Sequence, residues 1–145
     1  MDVSATKRNA KAVEDGQWVS DIPEMGDLRL KVRGLTSPTV VKSRDQKIRA
    51  EPKENRLRDR SLTYEANLRV LQEVLCEVVL LDWENLTDKG EPVAYSAELA
   101  KALLIDPDYQ PFADAVVWAA SVVDNSVEEA KEQSGKNSQR SSAGS

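Results

Sequence analysis

Apolar residues concentrate between residues 61 and 123, where they recur at helical spacing. Two stripes stand out, one on each side of a turn-rich, tryptophan-containing stretch. Side chains three or four positions apart lie on one face of a helix. We therefore predict two amphipathic helices that pack together and bury Leu71 and Leu75 against Val116 and Val123. The stripes consist of Tyr64, Leu68, Leu71, Leu75 and Val78, and of Phe112, Val116, Ala119, Val123 and Val127.

Cap and turn residues set the bounds of the other predicted elements. Leu28, Leu30 and Val32 alternate with basic residues, as in a half-buried strand, which predicts a hairpin over residues 17–33. Ser37, Ser61 and Ser96 stand immediately before predicted helices, where each can act as the N-cap. The predicted helices run from 38 to 50, from 62 to about 82, from 97 to 105, and from about 110 to 133.

These elements predict a mainly α fold, a small helical domain of about four helices with a short N-terminal β-hairpin. A chain of 145 residues with 40% apolar residues has room for one domain, placed at 16–133. Residues 1–15 are small, charged and aperiodic, and residues 134–145 are rich in Ser, Gly, Asn, Gln and Lys. We expect both ends to be disordered.

Charge divides the chain into two unequal parts. Residues 1–60 have a net charge of +4 and residues 61–145 a net charge of −9, which together give −5. The acidic part does not favour nucleic acid as a ligand. The basic segment 42–60 has two interpretations, an arm that contacts nucleic acid or a solvated helix pair whose cations face an acidic partner. The second is favoured because no aromatic side chain is interleaved to stack on a base.

The sequence contains little catalytic or metal-binding chemistry. It has no histidine and a single cysteine, Cys76, which is interpreted as a small buried or half-buried residue rather than a nucleophile or metal ligand, in a protein from a reducing compartment. Asp82, Glu84 and Asp88 suggest a calcium loop, but that spacing puts Leu86 and Thr87 where an oxygen ligand and a glycine are needed. We predict no enzymatic activity, no metal and no cofactor. No apolar run approaches the length of a membrane span, so no membrane partner is expected.

A short motif within this central region resembles a known family. Asp-Trp-Glu-Asn-Leu at 82–86 precedes Lys-Gly-Glu-Pro-Val at 89–93, an aromatic residue before Ser96, a short Ala- and Leu-rich run and a final amphipathic helix. Residues 16–19 and 28–33 fit an opening extended segment. This arrangement resembles the tail assembly chaperones of long-tailed bacteriophages, over roughly residues 16–133.

The resemblance implies a protein that binds and solubilises the tape-measure protein during tail assembly. It would act in the cytoplasm of the infected host and be absent from the mature virion. The alternative is a structural virion component, such as a head-tail connector or minor tail protein. For each aromatic candidate, the competing interpretation is that it only fills the core. The candidate partner-binding residues are Val74, Val78, Leu81, Trp83, Tyr95, Tyr109, Phe112 and Trp118.

Two further partners follow as expectations. Self-association is predicted because residues 74–81 carry more apolar surface than one helix covers and because a lone hairpin leaves an edge unpaired. Chaperones of this family are often made in two lengths by ribosomal frameshifting, and the longer form recruits the major tail-tube protein. Gly135-Lys136-Asn137 can be encoded by a slippery codon run, which would place the shift in the tail.

Overall fold

Five α-helices and five short strands form the described part of the chain, residues 1–126 of the computed structural model. A π-helical turn, Leu75–Val79, joins helix α3, Tyr64–Val74, to strand β3, Leu80–Glu84. The predictions for residues 127–145, including Val127 and the frameshift tripeptide, lie outside the described residues. In chain order the elements are α1 Ala10–Asp15, β1 Gln17–Val19, β2 Arg29–Val32, α2 Pro38–Ala50, α3 Tyr64–Val74, β3 Leu80–Glu84, β4 Thr87–Asp88, β5 Glu91–Pro92, α4 Ala97–Ile105 and α5 Gln110–Asp124.

The predicted mainly α fold is wrong: within residues 1–126 the structure is mixed α and β, with five helices and two small antiparallel sheets. The error lies in the segment predicted as one helix from 62 to 82. Its α-helix ends at Val74, and the chain leaves the π-helical turn as strand β3. Strand β3 pairs with β2, so the predicted hairpin becomes a three-stranded sheet in the order β1-β2-β3.

A β-bulge explains why β3 does not show a strand pattern in the sequence. Val32 pairs with Leu80 and Lys31 pairs with Asp82, so Leu81 is an extra residue without a partner on β2. The insertion places both Leu80 and Trp83 on the buried side of the sheet although they are three residues apart. The bulge therefore removes the strict alternation by which a half-buried strand is recognised in a sequence.

The hairpin and two of the predicted helices are confirmed. Helices α2 and α4 have the predicted bounds, and Ser37 and Ser96 each accept a hydrogen bond from a first-turn amide, as N-caps. Helix α5 starts where predicted, but it ends at Asp124 and is followed by a turn. The N-terminal segment departs from the predicted disorder, because α1 forms there and buries Ala12 and Val13.

The core is built around α5, which packs against β1, β2 and the π-helical turn, while α3 packs against α2 and α4. Leu75, Val116 and Val123 are buried, as predicted. Leu71 is 39% exposed, so its predicted burial is wrong. The buried face of α3 is instead the adjacent stripe of smaller residues at steps of four, Ala66, Val70 and Val74.

Helix α1 and helix α2 are joined through Glu14. Its carboxylate accepts hydrogen bonds from the backbone amide of Thr39, at 3.2 Å, and from the Thr39 hydroxyl. Ser37 caps the same helix end by accepting from the amide of Val40 at 3.1 Å. Hydrogen bonds from Thr39 and then Ser37 lower the pKa of Glu14. A carboxylate at this position also faces the positive end of the helix dipole.

Because the folded state lowers the pKa of Glu14, the contact stabilises the protein above the ordinary value of 4.5 and is lost as the pH falls through the lower folded value. Glu14→Gln should therefore lower the melting temperature at pH 7, and its difference from the wild type should shrink towards pH 3. Thermal melts at pH 7, 5 and 3 measure this. Glu24→Gln, at an exposed position, is the control. A difference for Glu14→Gln that stays constant across this range would contradict the assignment.

Candidate functional site

Trp83 is the centre of an aromatic cluster that joins β3 to the segment before α4 and to the start of α5. It is 4% exposed, and its ring makes edge contacts with Tyr95 and Phe112 at centroid distances of 4.9 and 5.9 Å. Its indole nitrogen donates a hydrogen bond to the carbonyl oxygen of Val93 at 2.8 Å. The Asp-Trp-Glu-Asn-Leu motif therefore positions residues 93–95 and the first turn of α5.

Beside this cluster opens a surface pocket of about 280 Å³. We call it the α4–α5 pocket, because α4 and the start of α5 form part of its lining. Apolar and aromatic side chains dominate it, together with Thr87 and Asp88. Such a lining favours an apolar ligand group over a charged one. The apolar and aromatic lining residues are Leu86, Val93, Leu99, Leu103, Tyr109 and Phe112.

Local geometry fixes these lining residues. Strands β4 and β5 meet in a two-residue turn, Lys89 and Gly90, whose φ angles of 52° and 86° are both positive, as in tight hairpins. Beyond it the amide of Val93 donates to the carbonyl oxygen of Leu86 at 2.8 Å, which brings two lining residues together. On α4, Leu99 and Leu103 are one turn apart and share a face.

The eight predicted partner-binding residues fall into three groups. Val74, Trp83 and Phe112 are buried, whereas Val78, Leu81 and Tyr95 are half-buried. Tyr109 and Trp118 are exposed by 48% and 37%. Their role in partner binding stays a prediction.

The structure brings only some of these residues together. Tyr109 and Phe112 line the α4–α5 pocket, Trp83 contacts Phe112, and Tyr95 contacts Trp83. Val74, Val78 and Leu81 belong to α3, the π-helical turn and β3. Trp118 lines a separate depression with Ile22, Met25 and their neighbours. The aromatic residues around the motif therefore converge, while the other candidates do not.

Two titratable groups near the cluster are held in their neutral forms. Burial, and then the charge of Asp82, raises the pKa of Tyr95, whose hydroxyl donates to the carbonyl oxygen of Leu80 at 3.4 Å. Burial, and then the charge of Glu77, raises the pKa of the Cys76 thiol, which is buried and unbridged as predicted. Both shifts reflect an apolar surrounding that disfavours charge.

Sequence reasoning missed the four aliphatic lining residues of the pocket, Leu86, Val93, Leu99 and Leu103, as well as Thr87 and Asp88. Leu99 and Leu103 carried a usable signal, because they stand at positions i and i+4 of a correctly predicted helix. Ala100 and Leu104 occupy the neighbouring face and are the ones that enter the core. A helix with apolar residues on two faces has one face left for another contact.

Residues 1–126 contain no group of three or more histidine, cysteine, aspartate or glutamate side chains placed to hold a metal ion. Within the same part of the chain, every helix is too short or too polar to cross a membrane.

The fold and the pocket define a small mixed α/β domain with an apolar surface pocket. Residues 37–137, more than two thirds of the chain, match the family model described as YdaY prophage protein. The chain belongs to this family and is of phage origin. The match begins at the cap of α2 and includes the whole α4–α5 pocket. Neither curated proteins nor solved structures gave a match.

Proposed function

We propose that the protein is a tail assembly chaperone whose α4–α5 pocket receives apolar side chains of the phage tape-measure protein. The observation that carries this proposal is the pocket itself, an apolar surface left open beside a rigid aromatic cluster. Phage origin and the resemblance of roughly residues 16–133 to tail assembly chaperones support the choice of partner. The proposal assigns the protein no catalytic step.

The size of the pocket is compatible with apolar side chains of a protein partner. Its volume of about 280 Å³ lies just below the roughly 300–1,000 Å³ of small-molecule sites. An amphipathic helix binds by inserting a few apolar side chains into such a surface. Tyr109, half exposed beside the pocket, offers a broad apolar face for that contact. Tape-measure proteins, long and helical with apolar faces, present side chains of this kind.

The same proposal includes the expectations attached to the resemblance. The protein acts in the host cytoplasm, leaves before the virion is complete, and associates with the major tail-tube protein through a longer frameshifted product. Self-association is part of it too, although one edge of the hairpin, that of β2, is already paired with β3 within the chain. The competing function, a structural virion component, requires the protein to remain in purified particles.

Co-expression with the tape-measure protein of the same prophage tests the proposal. Wild-type protein should keep the tape-measure protein soluble and copurify with it. Leu103→Glu places a charge in the pocket lining and should abolish both effects, because a buried carboxylate is costly in an apolar site. Ala102→Glu introduces the same charge at the adjacent exposed position and should behave as wild type.

Circular dichroism should first establish that both variants are folded. Copurification of the tape-measure protein with folded Leu103→Glu at the wild-type level would refute the role of the pocket. Failure of the wild type to bind or solubilise the tape-measure protein would refute the function itself.

A further inference from the structure

A second apolar surface lies on α3 and shares no residue with the α4–α5 pocket. Tyr64, Leu68 and Leu71 stand at steps of four and three along α3, and all three are exposed, Tyr64 by 76%. With Ile48 of α2 they line a groove of about 510 Å³, which we call the α2–α3 groove. The remaining lining residues are Arg44, Asn67 and Val70.

The exposed strip is not needed to hold α3 in the fold. The adjacent set, Ala66, Val70 and Val74, is buried and packs into the core, and Val70 forms the floor between the two faces. Two apolar faces on one helix of a small domain exceed what its own core requires. Steps of four and three residues are also the spacing at which a second helix packs against a first. The groove therefore has the form of a helix-docking surface.

The charged side chains near the groove differ in whether they form ion pairs. Lys47 on α2 pairs with Glu77 at 2.9 Å and lies 3.7 Å from Glu73, and Arg69 pairs with Glu51. These contacts occupy acidic side chains that lie between α2 and α3. The side chain of Arg44, on the groove itself, makes no ion pair or hydrogen bond within residues 1–126.

None of the residues that line the α2–α3 groove is acidic. Its one charged side chain is therefore a cation without a partner in the described part of the chain. An exposed guanidinium beside an apolar strip selects a partner that combines an apolar face with a carboxylate. Charge complementarity thus distinguishes an acidic amphipathic helix from a basic one.

We propose that the α2–α3 groove docks an amphipathic helix of another protein, with its apolar side chains on Tyr64, Leu68 and Leu71 and a carboxylate on Arg44. The partner is defined by that chemistry. The inference does not depend on the α4–α5 pocket, so an experiment can refute the proposed role of either site without affecting the other. Together the two surfaces would let one domain contact two turns or two segments of helical partners.

A synthetic peptide tests this directly. The probe is a fluorescein-labelled amphipathic helix of about 15 residues with leucines at i, i+3, i+4 and i+7 and glutamates flanking them. A matched peptide carries lysine in place of each glutamate, and a scrambled one lacks the apolar face. Fluorescence anisotropy should show saturable binding of the glutamate peptide, about tenfold weaker binding of the lysine peptide and none of the scrambled one. Higher salt should weaken binding of the glutamate peptide.

Variants then locate the site. Arg44→Glu should reverse the preference, so that the lysine peptide binds more tightly than the glutamate peptide. The double variant Leu68→Ser, Leu71→Ser should lose binding of both, and its melting curve shows whether it is folded. Arg58→Glu and Leu103→Glu should bind as wild type, because Arg58 is exposed elsewhere and Leu103 lines the other pocket.

Three results would overturn the inference. One is the absence of glutamate-peptide binding to wild type up to about millimolar concentration. Another is binding that Arg44→Glu leaves unchanged. The last is a dimer in sedimentation that the double serine variant dissociates, since the groove would then be occupied by a second copy of this chain.

Discussion

Replacing Trp83 by alanine is expected to lower the free energy of unfolding by about 3–5 kcal/mol. The indole is buried at the junction of β3, the segment around Val93 and the start of α5. Alanine would leave a cavity, remove the edge contacts with Tyr95 and Phe112, and leave the Val93 carbonyl oxygen without its indole donor. Aromatic contacts of this geometry contribute about 0.5–1.5 kcal/mol beyond their buried area.

Urea denaturation of two further variants separates the contribution of the indole hydrogen bond from that of the buried ring. Trp83→Phe retains a ring in the cluster but removes the hydrogen bond to Val93, and should cost about 1–3 kcal/mol. Trp118→Ala is the matched control, because that indole is 37% exposed and should cost much less. Equal losses for Trp83→Ala and Trp118→Ala would show that Trp83 is not the central residue of this cluster.

Leu75→Ala is expected to lower the free energy of unfolding by about 2–5 kcal/mol, and Leu71→Ala by less than about 1 kcal/mol. Leu75 is 2% exposed in the π-helical turn, whereas Leu71 lies one turn earlier with 39% of its surface in water. Because the same substitution is made at two positions one turn apart, the difference between the two losses of unfolding free energy reports the difference in burial. Urea denaturation of the two variants provides the measurement.

This pair decides between the two faces of α3. If Leu71→Ala were as costly as Leu75→Ala, the stripe Tyr64, Leu68, Leu71 would belong to the core and the α2–α3 groove would not exist. If both substitutions lowered the free energy of unfolding only slightly, the π-helical turn would not pack against α5 as described. Near-equal m-values should accompany either result, because the exposed surface on unfolding changes little.

The elements that were predicted correctly are those whose bounds depend on residues close together in the sequence. Ser37 followed by Pro38 fixed the start of α2, and Ser96 fixed that of α4, because a cap acts within one turn of its helix. The hairpin followed from alternation of Leu28, Leu30 and Val32 with cations. Helix α1 was missed because only Ala12 and Val13 enter the core there, too few residues to show a period.

The remaining errors have a tertiary origin. Strand β3 exists because β2 offers it an edge, and the bulge at Leu81 removes the alternation that would identify it. On α3, steps of four and three residues predicted that the stripe of Leu68 and Leu71 would be buried. The fold buries the smaller stripe of Ala66 and Val70 instead, which allows its neighbouring helices to approach closely. Periodicity finds both stripes but does not choose between them.

The candidate site was predicted in part for the same reason. Trp83, Tyr95 and Phe112 were candidates as aromatic residues of an apolar surface, and Trp83 contacts both of the others. The pocket itself is assembled from residues 86–93, 99–103 and 109–112, which come together only through the fold. A partner can bind there only because these apolar side chains remain accessible to solvent. Sequence patterns do not show which apolar side chains the fold leaves accessible.

Hydrogen exchange of the protein, alone and with the tape-measure protein of its prophage, tests the central claim most directly. Binding at the α4–α5 pocket should slow the exchange of backbone amides at residues 86–104 and 109–113, while Leu103→Glu should show no such change. Binding accompanied by unchanged exchange over these residues, with protection elsewhere on the domain, would contradict the assignment of the pocket as the chaperone site.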